Sequence, residues 1–312
     1  MKKKRRRKIK IGRVIILLIP VLIILLLFIG GIKYILNIFN DKNINACKYD
    51  VNQNIEFSLD LNSTNYLLSR ENENGNYVIY AKNEKEKIYP ASLTKVMTMY
   101  VVLNNIDENQ INDMITVSYN DLEGLIEANA SVVGLNVNDN ISIKDALYGL
   151  ILPSGADCAN LLRRIVEEKD LDFIDEMNRL AKEIGMNDTH FSNVTGLHDE
   201  NNYTTLYDMN ILMHEIFKYD VAKEILTTMV YSHDGYEFIS TMKRYSNNFS
   251  SDEATILGGK TGFTLESHLN LVTVIDTKYG ITFLLLANAD ENGEDKMGAH
   301  VMDALNIIEY YY

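Results

Sequence analysis

A hydroxyl and an amine stand three residues apart at Ser92 and Lys95, in the sequence Ser-Leu-Thr-Lys. On a helix this spacing is close to one turn, so the two side chains are predicted to lie on the same face. A serine hydroxyl becomes an effective nucleophile when a neighbouring base takes its proton. A lysine is such a base once burial or nearby positive charge lowers its pKa. The pair therefore predicts nucleophilic catalysis by Ser92, with Lys95 as the general base.

The pattern Ser-x-x-Lys alone is weak evidence, because it often occurs by chance. Two segments further along the chain support the interpretation. Ser154 follows Ser92 by 62 residues and precedes a glycine. Lys260 begins the run Lys-Thr-Gly another 106 residues on, and two glycines stand directly before it. Glycines on both sides allow another backbone or a ligand to approach closely. Without the other segments, Lys-Thr-Gly would read as an ordinary turn.

The order of these segments resembles that of the penicillin-binding serine acyl-transfer proteins, which combine Ser-x-x-Lys, a Ser-Asp-Asn-like triplet and Lys-Thr-Gly. More closely, the chain resembles the low-molecular-mass D-alanyl-D-alanine carboxypeptidases of the peptidase S11 type, over roughly residues 66 to 290. The segments that carry the closer resemblance are Tyr89–Lys95, Leu147–Gly155, Asn187–Phe191 and Thr195–Leu197.

The resemblance implies hydrolysis of the terminal D-Ala-D-Ala bond of peptidoglycan stem peptides through a serine acyl-enzyme. It implies β-lactams as inhibitors and no metal or organic cofactor. In this family a serine in the second motif relays a proton to the leaving group, and a lysine and threonine bind the terminal carboxylate, which suits a cation beside a hydroxyl. Carried over, the catalytic residues are Ser92, Lys95 and Ser154, and the substrate-binding residues are Lys260, Thr261 and Gly262.

The chain departs from the family pattern at Ala156, where Ser-x-Asn is usual. An alanine cannot hydrogen-bond a substrate amide or the active-site lysine, and losing such a partner costs about 1–3 kcal/mol. Asp157 or Asn160 is a candidate to supply the contact instead. The alternatives to a carboxypeptidase are a penicillin-binding or wall-binding protein with weak or lost turnover, and a β-lactamase or endopeptidase on the same fold.

Charge is unevenly placed along the 312 residues, since residues 2–13 hold nine Lys or Arg and no acid. The remaining residues carry 21 basic against 43 acidic side chains, which disfavours nucleic acid as a partner. The six histidines show no metal-ligand spacing, so a zinc peptidase is not expected.

A 19-residue apolar run, 14–32, follows the basic segment. It is long enough to span a bilayer and longer than the apolar core of a signal peptide, and its positive flank predicts a cytoplasmic N-terminus. We therefore expect a single-pass cell-membrane protein, bound to the membrane by its N-terminal helix, with its catalytic domain outside the cytoplasm. The predicted organisation is a basic cytoplasmic tail (1–13), an uncleaved transmembrane anchor (14–36), a linker (37–64) and a serine carboxypeptidase-like catalytic domain (65–312).

Strand-like runs open and close this catalytic domain, and amphipathic helical segments fill its middle. The first predicted hairpin surrounds residues 71–76, and a second joins 269–276 to 281–287. Capping boxes that begin at Ser118, Ser142 and Thr205 predict helix starts. Terminal strands bury their apolar faces best by joining one sheet. The predicted class is therefore a mixed α/β fold, and within that class the α+β type. The resemblance implies a penicillin-binding or β-lactamase-like fold, with an antiparallel sheet flanked by helices and an all-helical subdomain.

Overall fold

The computed structural model describes residues 48–49, 59–72, 75–291 and 296–312. Its strands are β1 (Lys48–Tyr49), β2 (Ser63–Asn72), β3 (Gly75–Lys82), β4 (Met114–Thr116), β5 (Asn140–Ser142), β6 (Val230–His233), β7 (Tyr236–Ile239), β8 (Ala254–Thr264), β9 (His268–Thr277) and β10 (Gly280–Ala289). Its α-helices are α1 (Thr94–Asn105), α2 (Tyr119–Leu122), α3 (Ile143–Ile151), α4 (Ala156–Glu167), α5 (Phe173–Ile184), α6 (Leu206–Ile216), α7 (Asp220–Leu226) and α8 (Ala299–Tyr311).

Six strands form one sheet in the order β1-β3-β2-β10-β9-β8. All neighbours are antiparallel except β1 and β3. Strand β2 pairs with β10, in a register that places Leu67 opposite Leu285. The prediction that the first hairpin joins the last strands in one sheet is therefore confirmed, and the chain ends of the domain meet at the centre of that sheet.

The sheet is buried on both faces, so neighbouring residues of one strand belong to different cores. Leu67 and Leu285 face the core that contains most of the helices between α1 and α7. Leu68 and Leu284 face the opposite core, to which α8 contributes Ile308. This alternation follows from the two-residue period of a strand. It leaves β8, at the sheet's edge, next to the helices that carry the candidate site.

The predicted helix starts are confirmed by their capping bonds. Ser142 and Thr205 each accept a hydrogen bond from the backbone N–H three residues on, at the beginnings of α3 and α6. Ser118 forms a capping box before the short helix α2. Helix α5 ends at Gly185, whose φ of 96° is readily adopted only by glycine.

Two features are not predicted by the sequence. Residues 254–264 form an 11-residue strand, whereas the Lys-Thr-Gly run taken alone indicates an ordinary turn. Strands β6 and β7 form a separate hairpin.

The predicted anchor, 14–36, also lies outside the described residues. Among the residues that are described, no helix is long and apolar enough to cross a bilayer. Strand β1 falls inside the range predicted as linker, 37–64.

Candidate active site

Ser92 lies in a 3-10 turn, Ala91–Leu93, that runs directly into α1. Lys95 is in the first turn of α1, and its Nζ lies 3.2 Å from Oγ of Ser92. The structure therefore brings this pair together, as the one-turn spacing predicted. Ser92 is partly exposed, whereas Lys95 is 2% exposed. The nucleophile candidate is open to a substrate while its base is shielded from water.

Burial lowers the pKa of Lys95 to about 7, and the negative charge of Asp157 opposes part of this shift. Nζ of Lys95 also donates a hydrogen bond of 2.6 Å to the backbone carbonyl of Thr195. In its neutral form the amine can donate to Thr195 and keep its lone pair for the proton of Ser92. A substantial fraction of the amine is neutral near pH 7, which is what a general base requires.

Close packing fixes the turn that carries Ser92. A Cβ atom on Gly196 would lie 1.8 Å from the carbonyl oxygen of Ala91, and one on Gly262 would lie 2.8 Å from that of Pro90. Ala91 itself has a φ of 46°, a strained conformation for alanine. The turn is therefore held between the loop around Gly196 and strand β8, and neither wall tolerates a side chain at its glycine.

Asn193 organises the loop that receives Lys95. Its Oδ1 accepts hydrogen bonds from the backbone N–H groups of Thr195 and Gly196, at 3.1 and 2.7 Å. Its Nδ2 donates to the carbonyl of Leu197 at 3.0 Å. Sequence reasoning placed this segment in the family pattern but gave neither Asn193 nor the Thr195 carbonyl a role. The available signal was an asparagine two residues before Thr-Gly, a pattern typical of an Asx turn.

Ser154 occupies the tight connection between α3 and α4 with a φ of 71°. Its Oγ is buried and has no hydrogen-bond partner among the described residues. A non-glycine residue in this conformation is an unusual, strained feature of the kind that clusters at functional sites. The structure thus leaves the Ser154 hydroxyl uncommitted, and it does not join this hydroxyl to Ser92, Lys95 or Lys260 by a direct hydrogen bond.

The two residues considered as substitutes for the missing amide at Ala156 are engaged elsewhere. The carboxylate of Asp157 accepts hydrogen bonds from the backbone N–H groups of Val133 and Gly134, each at about 3.0 Å. The side-chain amide of Asn160 donates to the carbonyl of Asp121 at 3.2 Å. Asp157 therefore anchors a neighbouring loop, and Asn160 braces the end of helix α2.

Lys260, Thr261 and Gly262 lie near the end of β8. Lys260 is 1% exposed, and its Nζ donates to the carbonyl of Thr261 at 2.7 Å. Burial lowers the pKa of Lys260 well below its usual value, and the positive charges of Lys95 and Arg244 lower it further. An anion that reaches Lys260 would reverse these effects, so the position favours a carboxylate ligand.

The hydroxyl of Thr261 lies 2.6 Å from that of Thr241, which follows the β6–β7 hairpin. Neither Thr241 nor Arg244 was identified from the sequence, because no motif spacing connects them with Lys260. Their proximity depends on how the hairpin returns to the sheet. Together they extend the polar side of β8 beyond the Lys-Thr-Gly run.

The chain is similar in sequence to a family of known peptidases. The model of the peptidase S11 family, described as D-alanyl-D-alanine carboxypeptidase, matches residues 52–285. The chain is 31% identical over 196 residues to the D-alanyl-D-alanine carboxypeptidase DacF of Bacillus subtilis, covering 61% of this chain and 48% of that protein. It is 30% identical over 207 residues to DacA of Haemophilus influenzae, covering 65% and 51%. The chain thus spans about half the length of these curated relatives.

Solved structures show the same fold. The crystal structure of the Streptomyces K15 DD-transpeptidase matches with a TM-score of 0.68 and 24% identity, over 81% of this chain and 98% of that one. A D-alanyl-D-alanine carboxypeptidase from Mycobacterium tuberculosis matches with a TM-score of 0.63 and 20% identity, over 80% and 92%. The chain accordingly has a mixed α/β, penicillin-binding-like fold with an antiparallel sheet and helices, as the sequence predicted.

Proposed function

Because the chain belongs to the peptidase S11 family of D-alanyl-D-alanine carboxypeptidases, we propose that it hydrolyses the terminal D-Ala-D-Ala bond of peptidoglycan stem peptides through a serine acyl-enzyme. The single observation that carries this proposal is the pairing of Ser92 with Lys95, at 3.2 Å and with the pKa of the lysine lowered to about 7. That combination supplies an activated hydroxyl near neutral pH.

In the proposed reaction, Oγ of Ser92 attacks the carbonyl carbon of the scissile bond while Lys95 takes the hydroxyl proton. The backbone N–H of Ser92, at the beginning of a helix, is one donor toward the oxyanion that forms. The intermediate collapses by breaking the C–N bond, and Ser154 relays the proton held by Lys95 to the departing D-alanine amine. Water then attacks the ester, releases the shortened peptide and restores the serine.

Substrate orientation is assigned to the end of β8. Lys260 and Thr261 bind the terminal carboxylate, and Gly262 keeps this part of the strand close to the nucleophile turn, where a Cβ would lie 2.8 Å from the carbonyl oxygen of Pro90. The buried position of Lys260 supports this role, because a carboxylate is the natural partner for a shielded ammonium group. β-Lactams carry a carboxylate and a reactive carbonyl in one small molecule, and we propose that they inhibit by acylating Ser92.

The finer architecture is also a proposal. We place the catalytic cleft between the sheet and an all-helical subdomain formed by the middle of the chain. We place the domain outside the cytoplasm, on a single N-terminal membrane helix over 14–36. Support comes from the nine basic residues of 2–13 and the 19-residue apolar run that follows them. Such an anchor would hold the domain beside its cell-wall substrate.

The test is covalent labelling with a fluorescent penicillin, followed by mass spectrometry of the labelled peptide. We expect one adduct on Ser92. We also expect Lys95→Ala to slow acylation by on the order of 10²–10⁴, and Lys260→Ala to slow it less, since Lys260 mainly binds. An adduct on another residue, or folded protein without an adduct, would rule out Ser92 as the nucleophile.

One observation favours a second candidate, a penicillin-binding protein with weak or lost turnover. Ala156 stands where the family carries an amide, and Asp157 and Asn160 are committed to other partners. Such a protein would be labelled by penicillin at Ser92 and would release no D-alanine. A β-lactamase would instead hydrolyse the labelled ester rapidly, and an endopeptidase would cleave cross-linked peptides. The products therefore distinguish the four activities.

A further inference from the structure

A 3-10 turn, Thr241–Arg244, lies between the β6–β7 hairpin and the segment that leads into β8. Its first residue, Thr241, is 9% exposed and is hydrogen-bonded to two of the three segments that carry the candidate site. No step of the reaction proposed above uses Thr241. Its contacts nevertheless determine where one hydroxyl proton of the site can point.

The backbone of Thr241 is joined to the segment that holds Ser154. Its N–H donates a hydrogen bond of 3.0 Å to the carbonyl of Leu152, which caps the C-terminus of α3 and stands two positions before Ser154. One residue earlier, the N–H of Ser240 donates to the carbonyl of Met229 at 2.9 Å and extends the ladder of the β6–β7 hairpin. Two consecutive backbone hydrogen bonds therefore fix the position of Thr241.

The side chain of Thr241 is joined to the Lys-Thr-Gly run. Its Oγ1 lies 2.6 Å from Oγ1 of Thr261, a hydrogen-bond distance for two hydroxyls. Among the described residues, neither hydroxyl has another hydrogen-bond partner. Thr261 is partly exposed, whereas Thr241 is buried. A ligand at the end of β8 can therefore meet the Thr261 hydroxyl directly.

The proton count of this hydroxyl pair limits what Thr261 can bind. A hydroxyl has one proton to donate, and a carboxylate only accepts. If Thr261 donated its proton to Thr241, it would have none for a carboxylate. If Thr241 donates to Thr261, the Thr261 proton stays available. Only the second arrangement allows Thr261 to bind the substrate carboxylate as proposed.

The charges near Thr261 favour an anionic ligand. Nζ of Lys260 donates to the carbonyl of Thr261 at 2.7 Å. Burial lowers the pKa of Lys260, and the positive charges of Lys95 and of Arg244, the last residue of the turn that begins at Thr241, lower it further. The turn thus brings both a cation and a hydroxyl to the end of β8, an arrangement that suits a carboxylate.

We propose that Thr241 is a positioning residue, whose hydroxyl donates to Oγ1 of Thr261 and thereby directs the Thr261 proton to the free terminal carboxylate of the substrate. This inference rests on the proposed function, because it uses the carboxylate site assigned to Lys260 and Thr261. The consequence concerns specificity: the turn after the β6–β7 hairpin helps the site to select the end of a peptide over its interior. An amide or ester at the same place is neutral and accepts a weaker hydrogen bond.

The experiment compares the rates at which benzylpenicillin and its methyl ester acylate Ser92, since the ester lacks the free carboxylate. We expect the parent to react faster with the free acid. Thr241→Val keeps the size of the side chain and the backbone N–H but removes the hydroxyl. It should lower the ratio of the two rate constants, acid over ester, roughly 5- to 30-fold. Thr241→Ser restores a hydroxyl and should retain the ratio of the parent.

Thr255→Val is the matched control. Thr255 also lies in β8, and its hydroxyl is 3.0 Å from that of Ser250, outside the candidate site. This variant should retain the ratio of the parent. Urea unfolding of every variant checks the fold. Thr241→Ala, which removes the hydroxyl and adds no atoms, takes the place of Thr241→Val if the valine variant does not fold.

The outcomes separate this inference from the proposed function. A ratio that survives Thr241→Val, or that Thr241→Ser lowers as much as Thr241→Val does, would overturn the role of the Thr241 hydroxyl. Equal acylation of the parent by acid and ester would overturn it as well. Absence of D-alanine release, with the penicillin ratios as expected, would overturn the carboxypeptidase proposal alone, because acylation reports on Thr241 without turnover.

Discussion

At the scale of single residues, the chemistry depends on a lysine that is buried but close to its serine. Desolvation disfavours the charged ammonium, and this effect outweighs the attraction of Asp157. The same burial acts on Lys260, whose pKa is also lowered, with Lys95 as a contributing positive charge. Burial thus leaves a substantial fraction of Lys95 neutral at a pH where an ordinary lysine is protonated.

The first prediction concerns the pH dependence of acylation. Lys95 accepts a proton only when it is neutral, and its pKa is about 7. The rate of acylation by benzylpenicillin should therefore rise nearly tenfold per pH unit below about pH 6.5 and level off above about pH 7.5. Stopped-flow measurement of the parent gives the curve, and Lys95→Ala serves as the control without this inflection. A flat profile in the parent between pH 5 and 9 would contradict the assignment of the base.

The second prediction concerns Ala156. A neutral amine has two N–H donors, and among the described residues Lys95 donates one to the carbonyl of Thr195. An asparagine at 156 can accept the other and can also bind the substrate amide. Since Asp157 and Asn160 are engaged elsewhere, Ala156→Asn should raise carboxypeptidase turnover roughly 5- to 150-fold.

The measurement is D-alanine release at saturating substrate, with urea unfolding of the same preparation as a stability check. Ala156 is 1% exposed, so the larger side chain must turn toward the cleft. Ala156→Ser is the matched control, because it adds a polar group too short to replace the amide. A folded Ala156→Asn protein with unchanged or lower turnover would show that the amide does not limit the rate.

At the scale of secondary-structure elements, the site is built where a 3-10 turn is held between a loop and the edge of a sheet. Gly196 and Gly262 are the points of closest approach, to Ala91 and Pro90 respectively. The geometry of the nucleophile is therefore set by elements more than 100 residues away in sequence.

The third prediction tests that packing with Gly196→Ala. The added Cβ would lie 1.8 Å from a backbone oxygen, so either the loop or the nucleophile turn must move. We expect acylation to fall by at least about tenfold and unfolding free energy to fall by more than about 2 kcal/mol. Gly185→Ala is the matched control: its φ of 96° is similar to the 79° of Gly196, but no atom lies within 4 Å of the new Cβ.

Gly185→Ala should cost only about 1–2 kcal/mol for the left-handed backbone and leave acylation unchanged. Urea unfolding and the rate of penicillin labelling are measured for both variants. Equal effects of the two substitutions on acylation would mean that the packing of Gly196 against Ala91 does not position the nucleophile.

How far the sequence predicts these elements depends on whether the signal is local. The helices capped by Ser142 and Thr205 were predictable because a cap and its partner lie three residues apart. The 254–264 strand was not predictable, because its glycines weaken the strand pattern. These glycines allow close contacts that exist only in the folded chain. One such contact is Gly258, whose Cβ would lie 2.4 Å from the carbonyl oxygen of Leu226.

The same distinction applies to the candidate site. Ser92 and Lys95 are local, and their hydrogen-bond distance follows from helix geometry. The roles of Ser154 and Lys260 came from a resemblance to a family, because their distance from Ser92 in sequence carries no geometric information. The Thr195 carbonyl and Thr241 were not predicted, since a backbone acceptor and a side-chain contact across two elements leave no pattern in the chain.

At the scale of the whole molecule, the sequence divides into a basic and apolar beginning and an acidic remainder. Residues 2–13 carry nine basic side chains, whereas the rest of the chain has a large excess of acids. The anionic body is repelled by anionic lipid, so attachment to a membrane is expected to depend on the apolar segment rather than on the surface of the catalytic domain.

The fourth prediction is that the full chain sediments with membranes and resists extraction by high salt. Protease added to intact, wall-stripped cells should digest residues 40–312, because the positive-inside rule leaves them outside the cytoplasm. A cytoplasmic protein that stays intact in the same sample is the control for cell lysis. Protection of 40–312 from the protease, or a mature N-terminus after residue 32, would contradict the orientation or the uncleaved anchor.

The most direct test of the central claim is release of free D-alanine from a peptide ending in D-Ala-D-Ala by the full-length, detergent-solubilised protein. Ser92→Ala, which removes the nucleophile and adds no atoms, is the control. We predict steady release by the parent and none above background by Ser92→Ala, with an acyl-enzyme on Ser92 trapped by rapid acid quench. Release that persists in Ser92→Ala, or no release by a parent that penicillin still acylates, would contradict the account of this chain as a serine carboxypeptidase.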